Sequence, residues 1–342
     1  MRDSVWPWVV FSAIVAVLLA VDLGIFNRKA HVVGVKEAAR WSVLVVLLAA
    51  AFNWGIFHFE GRGAGLEFMT GYLIEMALSV DNIFVFVLIF AYFKVPPKYQ
   101  HRVLFWGVIG ALVMRGTMIG AGAFLISRFQ WIMYVFGAFL VFTGIRMATQ
   151  DDMEIEPESN PVLRLMRRVL PVSPRYDGQR FFTKDSSRTG RRIATPLFVV
   201  LILVETTDLI FAVDSIPAIF AVTRDPFLVY TSNVFAILGL RSMYFLLAGV
   251  IDKFHYLKLG LSAVLVFIGG KMLAMYFHVH VPTHVSLLVV GALLGLSVAA
   301  SLLFPKPPAE TPPPGTGDAE EEFVYADADV TDHAPRDPSR PE

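Results

Sequence analysis

Two acidic runs, each inside a hydrophobic stretch, are the residues of this chain best suited to chemistry. The first run covers residues 75–82 and the second covers residues 205–217. Their acids are Glu75, Asp81, Glu205, Asp208 and Asp214. A carboxylate at the centre of a bilayer costs roughly 2.5–3.5 kcal/mol on insertion scales, so such residues normally mark a pathway or a binding site. The two runs therefore predict a cation path across a membrane.

The two runs also correspond to each other. When Asp81 is aligned with Asp214, each run has an acid six positions upstream, Glu75 and Asp208. Two further hydrophobic stretches separate the runs, so the chain should cross the membrane in opposite directions at the two sites. Inverted repeats with interrupted helices are a recurring transporter design, with the ion site near the midplane. We therefore predict an inverted internal repeat.

Helical spacing predicts how these side chains are distributed. Two pairs lie seven positions apart and share one face of a regular helix: Glu75 with Asn82, and Asp208 with Ser215. Asp81 and Asp214 face elsewhere unless the helix opens locally. Asp81 and Asn82 favour local backbone hydrogen bonds, and Pro217 lacks a helix donor. We therefore expect both acidic helices to be interrupted near these positions.

The types of ligand in the two runs narrow the choice of transported cation. Carboxylates, the amide of Asn82 and hydroxyls are oxygen donors, which suit Mn²⁺, Mg²⁺ or Ca²⁺. The chain has no cysteine, and its eight histidines lie outside the centres of the hydrophobic stretches, which argues against a Zn²⁺ or Cu⁺ site. Three bases are placed to compensate charge: Arg115, Arg241 and Lys271. Five acids against three bases leave two excess negative charges, which one divalent cation or protons would neutralise. The alternative is that the acids form structural ion pairs with Arg115 and Arg241.

The elements that must carry these residues are membrane helices. The chain of 342 residues is 56% hydrophobic and 17% charged, and its formal net charge of zero indicates no nucleic-acid partner. Nine stretches are long enough to span a bilayer, so we predict an all-α polytopic membrane protein. They lie near residues 5–26, 39–59, 66–93, 102–126, 130–149, 194–222, 227–250, 257–277 and 284–304. Basic residues concentrate in alternate connections, which places the N-terminus outside and the C-terminus in the cytoplasm.

The hydrophobic stretches and the polar segments between them divide the chain into four parts. Residues 1–149 form a first membrane half with five spans, and residues 194–304 form a second half with four. Residues 150–193 form a charged cytoplasmic loop between them. Residues 305–342 are rich in Pro, Glu and Asp, which predicts a disordered cytoplasmic tail.

Both acidic runs resemble those of the TerC/Alx family of bacterial integral membrane proteins. Further segments that resemble the family are 22–38, 111–116, 142–147 and 195–242. The resemblance implies a nine-span protein of the bacterial inner membrane, related to manganese exporters and carrying a historical label of tellurium resistance. By motif it also implies the metal-binding residues: Glu75, Asp81, Asp208 and Asp214, with Asn82 and Glu205 in support.

We therefore expect a transporter, not an enzyme, that exports a divalent cation from the cytoplasm by alternating access. Mn²⁺ is the first candidate, and exchange for protons would fit the charge count. No permanently bound cofactor is expected, and the partners are the lipid bilayer, the cation and protons. An intramembrane aspartyl hydrolase is disfavoured, because Asp81 follows Ser-Val and Asp214 follows Ala-Val. A membrane scaffold of a metal- or tellurite-resistance complex is the alternative.

Overall fold

Residues 5–21, 33–149, 170–173, 175–184, 192–248, 256–279 and 281–304 are described by a computed structural model. In these ranges the chain is helical apart from one small hairpin. The helices are α1 (Trp6–Val21), α2 (Val35–Phe59), α3 (Arg62–Tyr92), α4 (Pro97–Arg128), α5 (Ile132–Thr149), α6 (Pro196–Phe220), α7 (Pro226–Leu247), α8 (Leu257–Ala274, continued by a 3₁₀ turn over Met275–Phe277) and α9 (Thr283–Leu303). The strands are β1 (Phe182–Lys184) and β2 (Arg192–Ala194).

Membrane-spanning length and composition are present in seven of these helices, α2 to α6, α8 and α9. The prediction of an all-α polytopic membrane protein is therefore confirmed. Helix α1 is apolar but has only 16 residues. Helix α7 has 22 residues, and its buried positions include Asn233 and Arg241, which suit the interior of a bundle better than lipid. The count of nine spans and the division into four parts stay predictions, and the tail from 305 lies outside the described residues.

Helices α3 and α6, which carry the acidic runs, pack against each other at the centre of the bundle. Helix α3 also packs on α7, and α4 packs on α6. Helix α5 packs on α8, and α4 contacts α7. Exchanging α3, α4 and α5 for α6, α7 and α8 therefore reproduces the same set of contacts, which is the arrangement that two three-helix repeats would give.

The acidic helices are continuous, which corrects the expectation that they are interrupted. Helix α3 passes through Asp81 and Asn82, and α6 passes through Asp214 and contains Pro217 near its end. A break would leave backbone groups without partners inside the membrane, which is costly.

A short antiparallel hairpin, absent from the sequence prediction, lies in the 150–193 loop. Phe182 of β1 pairs with Ala194 of β2, and α6 begins two residues later at Pro196. The hydroxyl of Tyr176, just before the hairpin, donates to the carbonyl of Phe93 at the end of α3, at 2.7 Å. The hydroxyl of Thr195 donates to the carbonyl of Arg180, also at 2.7 Å. The hairpin therefore joins the end of α3 to the start of α6.

Close packing of α5 on α8 depends on glycines, and this contact can be tested. A Cβ added at Gly269 would lie 2.9 Å from the backbone nitrogen of Val141 on α5, whereas one added at Gly270 meets nothing within 4 Å. We expect Gly269→Val to lower the free energy of unfolding by about 1–3 kcal/mol, because backbone cannot move aside. Gly270→Val is the matched control. Equal unfolding free energies of the two variants in detergent would contradict this packing.

Candidate functional site

Arg115 of α4 is the centre of a buried polar cluster between four helices. Its Nη2 donates to Oδ1 of Asp208 at 2.9 Å and its Nε donates to Oδ2 at 3.2 Å, so the guanidinium binds this carboxylate through both oxygens. Its Nη1 donates to Oε1 of Glu75. Arg115 is 1% exposed, Glu75 0% and Asp208 3%. Such paired geometry is what makes burial of these charges tolerable.

Neutral polar groups complete this Arg115 cluster. Nη1 of Arg115 also lies 3.3 Å from Oγ of Ser215 and 3.4 Å from Oδ1 of Asn233. Nδ2 of Asn82 donates to Oδ1 of Asp208 at 3.4 Å. Along α3 the contacts run from Glu75 to Asn82, while along α6 they run from Ser215 back to Asp208. The two helices are therefore antiparallel where they meet, as an inverted repeat would require.

Several buried atoms of this region have no hydrogen-bond partner. They are Oε2 of Glu75, Oγ of Ser79, Oδ1 of Asn82 and Nδ2 of Asn233. Three of the four are oxygens, and a buried polar atom without a partner costs about 1–3 kcal/mol. A water molecule, a proton or a cation with oxygen ligands would relieve this cost. The cluster therefore has spare ligand capacity in addition to its ion pairs.

Asp81 and Asp214 form a second site, separate from Arg115. Both are half-buried, and Asp81 lies close enough to Asp214 to act on its charge. The hydroxyl of Thr143 on α5 lies 3.4 Å from Oδ1 of Asp214. The exposed Arg146, in the last turn of α5, also acts on the charge of Asp214. The charge of Asp81 therefore acts on Asp214, whose carboxylate contacts α5 through Thr143.

Glu205 lies next to the Arg115 cluster but makes no hydrogen bond to Arg115. It is half-buried on α6, and its carboxylate lies against Gly110 of α4, where an added Cβ would overlap it. It lines a small apolar cavity together with Asp208 and Arg241. The predicted set of six metal-binding residues is therefore divided by the fold. Glu75, Asn82 and Asp208 belong to the Arg115 cluster, Asp81 acts on the charge of Asp214, and Glu205 lies against α4 in a cavity that Asp208 also lines.

The predicted counter-charges also separate. Arg115 pairs with Glu75 and Asp208, as the structural ion-pair alternative proposed. Arg241 is buried and lines the cavity beside Glu205. Lys271 of α8 donates to Oγ of Ser286 at 2.9 Å, and Glu67 acts on its charge.

Sequence reasoning missed Glu67, Thr143, Arg146 and Asn233. Glu67 lies fourteen residues before Asp81, two heptads along one face of α3, and this spacing could have found it. Arg146 could have been found as a base near the end of a span. Counting Glu67 and Arg146 adds one charge of each sign, so the excess of two negative charges is unchanged.

The sequence profile described as the integral membrane protein TerC family matches residues 60–308, which include both acidic helices and the hairpin. The chain belongs to this family. That membership confirms the resemblance drawn from the two acidic runs. The last 34 residues, 309–342, lie beyond the matched region.

Relatives of this TerC-family protein cover nearly all of the membrane region. An uncharacterised membrane protein of Myxococcus xanthus is 56% identical over 296 residues, which are 86% of this chain and 92% of that protein. A protein of Escherichia coli (strain K12) named "Putative membrane-bound redox modulator Alx" is 51% identical over 296 residues, 84% of this chain and 91% of that protein. An uncharacterised membrane protein of Rickettsia felis is 41% identical, over 86% of this chain and 97% of that protein. No solved structure matches this chain.

Proposed function

We propose that this TerC-family membrane protein exports a divalent cation, with Mn²⁺ as the first candidate, through the interface between α3 and α6. The observation that supports the proposal most directly is that each acid of one helix meets its repeat counterpart on the other. The charge of Asp81 acts on Asp214, and Glu75 is joined to Asp208 through Arg115. Paired carboxylates at a repeat interface are the usual position of a transported ion.

The position of Arg115 assigns different roles to the two pairs of acids. Exchanging the two repeats would convert each pair, Asp81–Asp214 and Glu75–Asp208, into itself, so both would lie near the pseudo-twofold axis. Arg115, however, already compensates part of the charge of Glu75 and Asp208. A transported ion on that axis meets the same ligands in the inward- and outward-facing states, which alternating access requires. We therefore assign Asp81 and Asp214 as the principal cation ligands.

The chemistry of this pair suits a hard cation that keeps part of its water. Among the described residues, no three His, Asp or Glu side chains are grouped as metal ligands. Asp81 and Asp214 supply carboxylate oxygens, and the hydroxyl oxygen of Thr143 lies next to them. Mg²⁺ is commonly held by one or two carboxylates plus waters, and Mn²⁺ also suits carboxylate and water ligands. Partial hydration also allows release, which a transporter needs.

The Arg115 cluster would hold the two repeats together, with the charge of Arg115 compensating part of the charge of the acids. With Glu75 and Asp208 both bound to one guanidinium, the cluster carries one excess negative charge when both acids are ionised. Protonation of one carboxylate would loosen its bond to Arg115, and this is the step to which we assign proton exchange. The unpartnered Oε2 of Glu75 is available to receive that proton.

The name of the Escherichia coli relative suggests a redox role, but thiol chemistry is not open to this chain. It contains no cysteine, so it has neither a disulfide nor a thiolate to exchange. Removing a redox-active metal from the cytoplasm would alter cellular redox state without any thiol in the protein. Export of Mn²⁺ is therefore compatible with that name.

Elemental analysis of whole cells tests the proposal. In cells that lack their own manganese exporter, expression of this protein should lower cellular Mn²⁺ several-fold when manganese is added to the medium. The same spectra report Mg²⁺, Ca²⁺, Fe and Zn²⁺, so another exported ion would be identified directly. Unchanged contents of every divalent metal, with the protein present in the membrane, would overturn the proposal. Inside-out vesicles with and without a pH gradient test the proton exchange separately.

A further inference from the structure

The hairpin carries an open basic groove that the transport proposal does not use. Five residues line this groove, which has a volume of about 540 Å³: Arg180, Phe182, Thr183, Lys184 and Arg192. The three basic side chains are exposed, and Phe182 is 48% exposed between them. The ion pair of Arg180 with Asp177, at 3.4 Å, neutralises one of them only in part. The groove therefore suits a ligand that is acidic and carries an aromatic or apolar group.

The position of the groove is fixed by its attachments. The hairpin leads directly into α6, and Tyr176 ties it to the end of α3. The guanidinium of Arg102, near the start of α4, lies 5.1 Å from the centre of the Phe181 ring. A ligand in the groove would therefore be connected to the ends of the two acidic helices.

An acidic segment of the same chain has the matching composition. Residues 318–329, Asp-Ala-Glu-Glu-Glu-Phe-Val-Tyr-Ala-Asp-Ala-Asp, contain six acids and no base. Phe323 and Tyr325 follow the three consecutive glutamates. An anionic stretch with aromatic groups complements three exposed cations around Phe182, both in charge and in apolar surface.

Chain direction and length allow this segment to reach the groove. The end of α9 lies on the hairpin's side of the bundle. Glu67 near the start of α3 acts on the charge of Lys271 near the end of α8, so the start of α8 lies toward the end of α3. The backbone N–H of Tyr256, just before α8, donates to Oγ of Ser301 near the end of α9. Helix α9 packs against α3, whose end holds the hairpin. The sixteen residues from 304 to 320 can extend up to about 50 Å, several times the 8–10 Å between packed helices.

We propose that the acidic segment 318–329 binds the basic groove of the hairpin in the same molecule. Headgroups of anionic lipids are the competing occupant, since the groove lies at the start of a membrane helix. The tail is favoured because it supplies aromatic groups together with charge, and because it is covalently held at a high local concentration. Bound there, the tail would hold the ends of α3 and α6 together. The interaction itself does not depend on which ion is transported.

Disulfide trapping in the full chain tests this interaction. The chain has no native cysteine, so a disulfide can form only between the introduced cysteines. Phe182→Cys would be combined with Ala326→Cys, which leaves every charge of the segment in place. The control combines Ala326→Cys with Val35→Cys, an exposed apolar residue at the start of α2, which lies at the same end of the bundle as the hairpin. Both proteins would be reconstituted in vesicles of phosphatidylglycerol and phosphatidylethanolamine, so that lipid competes. Peptide mass mapping after oxidation should show the 182–326 disulfide and not the 35–326 disulfide.

Charge variants make the result specific. Glu320→Gln, Glu321→Gln and Glu322→Gln together should slow formation of the 182–326 disulfide by about tenfold, the sum of several weak exposed ion pairs. Asp332→Asn, Asp337→Asn and Glu342→Gln remove the same charge outside the segment and should have little effect. If both triple variants slowed formation of the disulfide equally, the tail would be attracted by its net charge alone, and the proposal would be overturned. Absence of the 182–326 disulfide in phosphatidylglycerol vesicles would also overturn it and assign the groove to lipid.

Discussion

Replacing Arg115 by leucine should lower the free energy of unfolding by about 3–5 kcal/mol, which is the usual cost of removing one partner from a buried ion pair. The variant leaves Glu75 and Asp208 side by side in the bundle, 0% and 3% exposed, without their shared cation. Leucine inserts into a bilayer more readily than arginine, so the amount of variant protein found in the membrane would not report the loss of folding stability. The measurement is the unfolding transition of purified protein in mixed detergent micelles.

Two comparisons separate charge from side-chain volume in this result. Arg128→Leu removes an exposed arginine from the end of the same helix and should change the unfolding free energy by less than about 0.5 kcal/mol. Arg115→Leu combined with Glu75→Gln and Asp208→Asn removes the unpaired charges and should recover a large part of the loss. If Arg115→Leu alone were as stable as the wild type, the Arg115 cluster would not hold the repeats together.

Replacing Asp81 by asparagine should reduce cation export at least about tenfold while leaving the unfolding free energy nearly unchanged. Loss even of a group that only supports a metal ligand typically costs 10–100-fold, and Asp81 is proposed as a ligand itself. Asp81 is half-buried and lies outside the hydrogen bonds of Arg115, so its charge is not needed to balance that ion pair. Asp214→Asn should behave in the same way, because the two acids form one pair.

Two further substitutions serve as controls for this prediction. Glu60→Gln changes an exposed acid just after α2 and should leave export intact. Thr143→Val removes only the hydroxyl beside Asp214 and should have a smaller effect than either aspartate. Cellular manganese content and the unfolding transition would be measured for every variant. Export by Asp81→Asn equal to that of the wild type would contradict the role of Asp81 as a ligand. The scaffold alternative would instead be favoured if no export were measured and function in the cell survived Asp81→Asn but was lost on deletion of the charged loop, residues 150–193.

Sequence alone determined the helical membrane architecture and located the acidic runs within it. Both follow from local properties, since hydrophobic length sets where a span can lie and the cost of intramembrane charge marks the acids. Helical periodicity also placed Glu75 with Asn82, and Asp208 with Ser215, on shared faces, and these residues do lie together around Arg115. Periodicity further indicated that Asp81 and Asp214 face elsewhere, although the expected break in the helices was wrong.

Only the tertiary structure decided which helix each face meets. Periodicity specifies the direction of a side chain but not the neighbour across from it, because that neighbour is set by how the helices pack together. This is why Glu205, close in sequence to Asp208, lies against Gly110 instead of joining the Arg115 cluster. It is also why Thr143 and Arg146 of α5 were not foreseen beside Asp214. The hairpin was missed because strands of three residues carry too short a pattern to be recognised within a charged loop.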